Sequence, residues 1–262
     1  MWRLFCLGVW VMASAMANAQ AQSGSDHAVW DSLLREYVVE CSDGVTRVDY
    51  ARLKESKDDR ARLDGYLDGF SDVDVNAFGR DEKFAAWANI YNALTVKHIV
   101  ERYPVRSIKS GYLSGPWKRV KTVVNGAAIS LDEIEHDVLR PMGDARVHYA
   151  INCASYSCPN LMPMAWTGLT LDDDLDVAAH DYINHPRGVS VRNRGGLRVS
   201  EIYKWFKDDF GGSEDAVIGH LLEHADDELA ARIEANRDIR AYDYDWSLND
   251  AAQGCQEEGY QE

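Results

Sequence analysis

The segment from Phe84 to Val96 places the strongest constraint on how this chain can fold, because its thirteen residues carry no charge. Wrapped as a helix, the segment is apolar on every side except at Asn89, Asn92 and Thr95. A helix that is apolar all round is buried, and thirteen residues are too few to cross a membrane. The sequence therefore predicts a central core helix within the longer helical stretch Lys83 to Tyr103.

The two asparagines of this helix lie three residues apart, so their amides share one face. Buried amides must be hydrogen-bonded, since each unpaired group costs on the order of 1–3 kcal/mol. Two interpretations follow for Asn89 and Asn92. The amides hold loop backbone in place, or one of them orients a catalytic histidine or a ligand.

Composition narrows the class of protein. The 262 residues are 46% hydrophobic and include 8 Trp and 13 Tyr, which is enough to build a core. Counts of 19 Gly, 6 Pro and 5 Cys exclude collagen-like and disulfide-scaffold folds. A formal net charge of −15 repels phosphate backbones and anionic lipid, so we expect neither nucleic acid nor a membrane surface as a partner of the processed protein.

The N-terminus, residues 1–19, has the features of a cleavable signal peptide. Arg3 is followed by the apolar run Leu4 to Ala17, and Ala17-Asn18-Ala19 offers small residues at a cleavage site. The apolar run is shorter than the ~20 residues of a membrane span, which argues against an uncleaved anchor. The sequence thus predicts an exported protein, periplasmic or secreted.

The rest of the chain has no internal repeat and no linker, so we expect a single domain over residues 26–249 and a polar C-terminal tail over residues 250–262. The predicted fold class is α+β, mixed and helix-rich, with short antiparallel hairpins around the buried central helix. A papain-like or transglutaminase-like arrangement is the candidate within this class. Asn125-Gly126 is a strong hairpin signal, and Ser130-Leu131-Asp132-Glu133 is a capping box that opens a helix to about Arg140.

The segment Arg146 to Leu161 holds a histidine, two thiols and small hydroxyl residues in mostly apolar sequence. A thiol becomes nucleophilic when a base or a positive field lowers its pKa. Cys158 is the better candidate, because Pro159 suits the first turn of a helix and would place the sulfur near the positive end of the helix dipole. Cys153 follows an apolar run, so a packed small side chain is the alternative for it.

Three blocks of sequence resemble, in order, the signature blocks of the domain of unknown function 547 family. They are Trp87-x-Asn89-x-Tyr91-Asn92-Ala93-Leu94, Leu131-x-x-Ile134-Glu135-His136-x-x-Leu139-Arg140 and His148-x-Ala150-x-Asn152-Cys153-Ala154-Ser155-x-Ser157-Cys158-Pro159-x-Leu161. Val48-Asp49-Tyr50 precedes them and Trp205-Phe206-Lys207-Asp208-Asp209-Phe210 follows, so the resemblance covers about Val45 to Phe210.

The resemblance selects candidate site residues without assigning their roles. The candidates on motif positions are Asn89, Asn92, Glu135, His136, Arg140, His148, Cys153, Ser157 and Cys158. Members of the family are also joined to glutaredoxin-like domains, which favours thiol chemistry.

The first functional hypothesis is a cysteine-dependent hydrolase or acyltransferase that acts on an amide, peptide or thioester. Cys158 would be the nucleophile and His148 its base, with Glu135 or Asn92 orienting the imidazole. We expect the Cys158 sulfur within hydrogen-bond reach of the His148 ring, a small-molecule or peptide substrate, and no cofactor. The supporting or binding residues would be Asn89, Asn92, Cys153, Ser157, His136 and Arg140.

Two other classes of function stay open. The first is a non-catalytic module that binds a peptide or an envelope glycan in a cleft lined by the Asn pair, Arg140 and aromatic rings. The second is a thiol–disulfide redox protein that uses Cys153 and Cys158. An alkylation rate measured on the folded protein separates reactive thiols from inert ones.

A metal site built from His136, His148, Cys153 and Cys158 is a further alternative. The gap between the cysteines is at the loose limit for a zinc knuckle and there is no second cysteine pair, so we predict no metal. The remaining helical histidines are expected to be partly exposed surface groups: His98, His220 and His224.

For the cysteines, we predict a disulfide between Cys41 and Cys255, with Cys153 and Cys158 not permanently bridged. The first two lie outside the signature region, in polar segments near the chain ends, where a bond closes a long loop and stabilises by roughly 4–5 kcal/mol in the chain-entropy model. A bridge between Cys153 and Cys158 instead would favour thiol–disulfide exchange over hydrolysis.

Overall fold

The computed structural model of the chain describes residues 26–192 and 195–255. The predicted signal peptide, residues 1–19, lies outside these residues, as do residues 256–262 of the predicted tail. Residues 193–194 lie outside them as well; they belong to an Asn-Arg-Gly-Gly sequence that predicts a hairpin turn at 193–196. None of the helices in the described ranges combines the length and the apolar character of a membrane span.

Ten α-helices and seven strands make up the regular structure of these ranges. The helices are α1 (Ala28–Tyr37), α2 (Tyr50–Glu55), α3 (Lys57–Asp68), α4 (Arg80–Arg102), α5 (Leu131–Glu133), α6 (Val147–Ala150), α7 (Leu171–Asn184), α8 (Ile202–Trp205), α9 (Glu214–His224) and α10 (Asp227–Glu234). The strands are β1 (Val38–Glu40), β2 (Thr46–Val48), β3 (Lys121–Val124), β4 (Ala127–Ser130), β5 (Val189–Val191), β6 (Leu197–Ser200) and β7 (Ile239–Asp243).

Helix α4 is the predicted core helix. Every residue from Phe84 to Val96 is buried, as an all-round apolar surface requires. The helix ends at Arg102, before Pro104, which cannot continue a helix. It packs against α2, α3 and the segment that follows α5. The functional side chains described below gather around this helix.

The strands form three small sheets. β1 pairs with β2, and β3 pairs with β4 around Asn125-Gly126, where both residues have positive φ as a tight hairpin turn demands. β5 and β6 are antiparallel, and β7 adds to β6 in parallel at the edge. The predicted class, helix-rich α+β with short antiparallel hairpins in a single domain, is confirmed.

The helix that begins at Leu131 differs from its prediction. The capping box is present, because Ser130 accepts from the Glu133 N–H while the Glu133 carboxylate accepts from the Ser130 N–H. Beyond Glu133 the chain winds as a π-helix over Ile134–Leu139 and as a 3₁₀ turn over Arg140–Met142, rather than as α-helix. Short π-helical turns are frequent at functional sites, and this one carries Glu135 and His136.

One other boundary differs. The sequence from Ser213 to Asn236 predicts helix throughout, but the structure divides it into α9 and α10, because Asp226 is extended and caps α10 by accepting from the Leu229 N–H. Asp250 is buried, and Cys255 forms a disulfide with Cys41, the pairing that their positions predict.

Candidate functional site

The loop that follows α6 folds back on itself and carries both free cysteines. Ala154 has φ of 60°, a left-handed conformation that is uncommon for a residue with a side chain. The Asn152 side chain supports this turn by accepting from the Ala154 N–H over 2.8 Å. Pro159 does not begin a helix, so the predicted helix dipole at Cys158 is wrong. The backbone N–H of Cys153 points at the Cys158 sulfur instead, over 3.0 Å.

The two sulfur atoms face each other. Cys153 Sγ and Cys158 Sγ lie 2.6 Å apart, which is longer than the ~2.05 Å of a disulfide bond but close to it. The Tyr244 hydroxyl lies 3.1 Å from Cys158 Sγ and 3.2 Å from Cys153 Sγ. This geometry lets one phenol donate to whichever sulfur carries a negative charge.

The thiols have different proton affinities. Burial would raise the pKa of Cys158, but hydrogen bonds from Cys153 and Tyr244 outweigh burial and hold that pKa below its ordinary value. The hydrogen bond to Cys158 and burial together raise the pKa of Cys153 well above its ordinary value. When one proton is shared by the pair, Cys158 is therefore the thiolate and Cys153 the thiol.

A C-terminal segment fixes this loop. The Tyr156 N–H donates to the Ser247 carbonyl over 2.7 Å, and the Asn249 N–H donates to the Ala154 carbonyl over 3.2 Å. Ser157, one of the predicted supporting residues, accepts from the Asp245 N–H over 2.8 Å. Its hydroxyl thus holds the two segments together, and the same segment brings Tyr244 to the sulfurs.

Asn89 and Asn92 hold backbone, the first of the two interpretations above. Asn92 Nδ2 donates to the Ala150 carbonyl over 2.9 Å, and its Oδ1 accepts from the Asn152 N–H over 2.8 Å. Asn89 makes the same pair of bonds to the backbone of Trp166, at 2.8 and 3.0 Å. Neither amide contacts His148, so the proposal that Asn92 orients that imidazole is wrong.

His148 is paired with Asp209. Its Nε2 lies 2.7 Å from Asp209 Oδ2, and its ring stacks on Phe206 with 4.1 Å between centroids. Arg140 donates to both Asp209 oxygens, at 2.6 and 2.9 Å, and to His136 Nδ1 at 2.7 Å. Burial would raise the pKa of Asp209, but its hydrogen bonds with His148 and Arg140 hold that pKa well below its usual range. Asp209 is therefore ionised, the His148 Nε2–H donates to it, and Nδ1 is the basic nitrogen.

This arrangement departs from the predicted triad. Within the described residues, the side-chain partners of the Cys158 sulfur are Cys153 and Tyr244, and the expected hydrogen bond to His148 is absent. Burial lowers the pKa of His148, even though Asp209 opposes that shift. The imidazole is therefore neutral near pH 7. Glu135 is not the third member either, because Asp209 occupies that position.

Glu135 lies elsewhere in the same region, as a buried acid. Its side chain is 8% exposed and accepts from the Tyr91 hydroxyl over 3.3 Å. Burial is the main cause that raises the pKa of Glu135 to about 8, and an electrostatic interaction with Cys153 adds to the shift. At neutral pH this carboxyl is therefore protonated for most of the time.

These groups line one cavity of about 550 Å³. Both thiols, His148, Glu135 and His136 contribute to its surface. Aromatic rings supply much of the wall: Tyr91, Trp117, Trp205, Phe206, Tyr244 and Trp246. Lys118 and Arg119 line it as well, together with Asp132, whose carboxylate lies 3.8 Å from Lys118 Nζ. The cavity thus combines a dithiol with an aromatic surface and a charged edge.

Tyr244 and Asp209 are site residues that the sequence did not predict. Asp209 belongs to the Trp205 to Phe210 block already noted, where an acid among aromatic residues is the available signal. Tyr244 stands in the alternating run Tyr242-Asp243-Tyr244-Asp245-Trp246, which indicates an edge strand rather than a site. The role of Tyr244 depends on its contact with Cys158, which precedes it by 86 residues in the sequence.

The four metal-ligand candidates do not converge. His148 Nε2 is taken by Asp209, and His136 Nδ1 faces Arg140. Among the described residues, the ligand atoms of Cys153 and Cys158 meet each other and Tyr244, not an imidazole.

Comparison with known proteins agrees with the sequence blocks. Residues 75–183 match the model of the family described as protein of unknown function, DUF547. The matched part runs from just before α4 into α7 and includes Glu135, His148 and both free cysteines. Neither the curated proteins nor the solved structures yield a match.

Proposed function

We propose that this chain, which carries a DUF547 region over residues 75–183, is a dithiol–disulfide exchange protein that uses Cys153 and Cys158. The observation that carries the proposal is the 2.6 Å separation of the two sulfurs in a cavity-lining loop, with the Tyr244 hydroxyl beside both. Two thiols so close together, one with a low and one with a high pKa, suit a nucleophile and a resolving thiol.

The reaction has two steps. The Cys158 thiolate attacks one sulfur of a substrate disulfide, forms a mixed disulfide, and releases the other substrate sulfur as a thiolate that takes up a proton. The Cys153 thiol then loses its proton and attacks the Cys158 sulfur, which forms the Cys153–Cys158 disulfide and releases the second substrate thiol. The substrate is reduced by two electrons and the protein is oxidised by two. An external dithiol reductant restores the starting state.

Two side chains support these steps. The Tyr244 hydroxyl donates to the Cys158 thiolate before attack, and it lies as close to Cys153 when that sulfur loses its proton. Glu135, with a pKa of about 8 and an electrostatic interaction with Cys153, is suited to accept that proton.

The cavity indicates the class of substrate. A wall of aromatic rings suits a peptide segment or a small organic disulfide, since aromatic surfaces bind such groups by stacking and apolar contact. Lys118 and Arg119 favour carboxylate groups on that substrate. An exported protein would meet disulfides in its compartment, which agrees with the proposed signal peptide.

The experiment is a redox titration with thiol mapping on the full chain. The protein is equilibrated in glutathione buffers of graded ratio, and peptide mapping follows each pairing. We expect Cys153 and Cys158 to bridge reversibly while Cys41–Cys255 stays bonded. Cys153→Ser should trap a mixed disulfide with a peptide disulfide on Cys158, and Cys158→Ser is the matched control that should not. The proposal fails if no Cys153–Cys158 bridge forms at any ratio. Two inert thiols would favour a non-catalytic binding module.

The His148–Asp209 pair favours a second candidate, acyl transfer by Cys158 with a small-molecule, peptide or thioester substrate. Both His148 and Cys158 line the cavity. His148 and Asp209 together resemble the base and the orienting acid of cysteine hydrolases. The Cys158 sulfur and His148 Nδ1 are not hydrogen-bonded to each other. Substrate binding would therefore have to bring these two atoms within hydrogen-bond distance.

The two candidate functions predict opposite effects for substitutions of Cys153 and His148. Acyl transfer from a peptide thioester should survive Cys153→Ser and be lost in His148→Ala. Disulfide exchange should be lost in Cys153→Ser and survive His148→Ala. Rapid acyl-enzyme formation that depends on His148 would make the hydrolase or acyltransferase the better assignment.

A further inference from the structure

A second cluster of chemically active side chains lies on α9, apart from the dithiol. His220, Glu223 and His224 occupy positions i, i+3 and i+4, so they lie together on one face of this helix. One ligand atom from each lies within 4.8 Å of the other two. His220 and His224 are both partly exposed, as the sequence predicts, with 11% of the His220 side chain exposed. The same expectation is wrong for His98, which is buried.

The arrangement matches what a divalent metal requires. His220 Nδ1 lies 3.9 Å from Glu223 Oε2, and the rings of His220 and His224 meet edge to face with 5.0 Å between centroids. Ligands bound to one zinc ion at about 2.0–2.2 Å lie roughly 3–3.5 Å apart. Glu223 is 72% exposed, so its side chain is free to move by the small distance that remains. Two histidines four apart on a helix are also the pair that helical zinc sites use.

A buried partner fixes the inner histidine. His220 Nε2 lies 2.8 Å from the hydroxyl of Tyr149, and the planes of the two rings are nearly parallel, at 3° to each other. Tyr149 is fully buried, and its hydroxyl lies 3.2 Å from that of Tyr203. With Nε2–H donating to Tyr149, the lone pair of Nδ1 faces Glu223. Metal-bound histidines are held in this way by a partner on the second ring nitrogen.

We infer that His220, Glu223 and His224 bind a zinc-type divalent transition-metal ion at the surface of α9, with water completing its coordination. Two imidazoles and one carboxylate are the donor set that zinc and its neighbours prefer over calcium or magnesium. The strongly acidic chain favours a bound cation here. This site stands independently of the proposed dithiol chemistry.

Calorimetric titration of Zn²⁺ into the full chain tests the site. The protein is made without an oligohistidine tag and with Cys153→Ser and Cys158→Ser, so that no free thiol competes for zinc. We expect one equivalent to bind and the thermal-unfolding midpoint to rise. His224→Ala should weaken binding roughly tenfold or more, since it removes one of three protein ligands. His185→Ala, which removes a histidine outside the cluster, should leave binding unchanged.

His224 is the variant of choice because its ring lies on the outer side of the pair, whereas replacing the more buried His220 risks the fold. Glu223→Gln, at an exposed position, provides a second test and should also weaken binding. The inference is overturned if no saturable binding occurs, or if His224→Ala and Glu223→Gln both bind zinc as tightly as the parent protein.

Discussion

The hydroxyl of Tyr244 lies 3.1 Å from the sulfur of Cys158, although the two residues are 86 positions apart in the sequence. The contact joins the end of the fold to its DUF547 region. It also gives the dithiol a hydrogen-bond donor that does not depend on histidine, which is why the site can support a thiolate although His148 is engaged with Asp209.

Tyr244→Phe should slow alkylation of Cys158. A hydrogen bond to a thiolate worth roughly 1–1.5 kcal/mol corresponds to about one pKa unit, so the rate at pH 7 should fall roughly fivefold to tenfold. Iodoacetamide labelling read by mass spectrometry, over a range of pH, gives the thiol pKa. Tyr242→Phe is the matched control, because Tyr242 hydrogen-bonds to Glu214 and not to a sulfur. Equal rates in both variants would count against the role of Tyr244.

Glu135→Gln should change how stability depends on pH. The folded pKa of about 8 lies above the ordinary 4.5, so the folded state holds a proton that the unfolded state has released between these values. The associated stability is fully present below pH 4.5 and is lost as pH rises through 8. In urea unfolding, the free energy of unfolding of the variant, relative to that of the wild type, should therefore rise by roughly 3–5 kcal/mol between pH 4.5 and pH 8. A constant difference at all pH values would contradict the buried acid.

The same substitution should alter exchange kinetics. If Glu135 accepts the Cys153 proton, the second step in the wild type accelerates as pH rises towards 8, and the variant lacks that acceleration. Stopped-flow mixing of the reduced protein, with Cys153 present, and a chromogenic disulfide measures release of the second substrate thiol, which is this step. A variant with an unchanged pH profile would remove Glu135 from the mechanism.

Replacing both Cys41 and Cys255 by Ser should destabilise the protein without touching the dithiol. The bond spans 214 residues, and the chain-entropy model assigns roughly 4–5 kcal/mol to so long a loop. Urea denaturation should show a lower midpoint, while the alkylation rate of Cys158 stays as in the wild type. Loss of Cys158 reactivity in this variant would mean that the disulfide also shapes the site.

Asn92→Ala should loosen the cysteine loop. The substitution leaves the Ala150 carbonyl without one of its donors and the Asn152 N–H without its acceptor, at a cost of roughly 2–4 kcal/mol. The exposed Asn76→Ala serves as control and should shift the urea midpoint little. Hydrogen exchange at the Asn152 amide should rise in the first variant alone, and an unchanged exchange rate there would argue against the backbone-holding role.

Local sequence signals predicted the local structure well. The buried helix, the Asn125-Gly126 turn and the Ser130 capping box depend on neighbouring residues, and all three are present. The π-helix after Glu133 was not predicted, because its residues have the same apolar spacing as those of an α-helix. The disulfide pairing followed from the positions of Cys41 and Cys255 at the two ends of the domain.

The partners within the site could not be predicted in this way. His148 meets Asp209 across 61 residues, and Cys158 meets Tyr244 across 86. Contacts of this kind depend on how elements pack, which periodicity does not record. The sequence blocks therefore selected residues that do gather around one cavity, such as Glu135, but gave them the wrong neighbours.

The cysteine loop is held by residues up to 97 positions further along the chain, and this fixes an order of events during synthesis. Translation proceeds from the N-terminus, so Cys41, Cys153 and Cys158 are all made before Tyr244 and Cys255. During that interval Cys41 lacks its native partner. The Cys41–Cys255 bond can therefore form only after the segment that also holds the cysteine loop has been made.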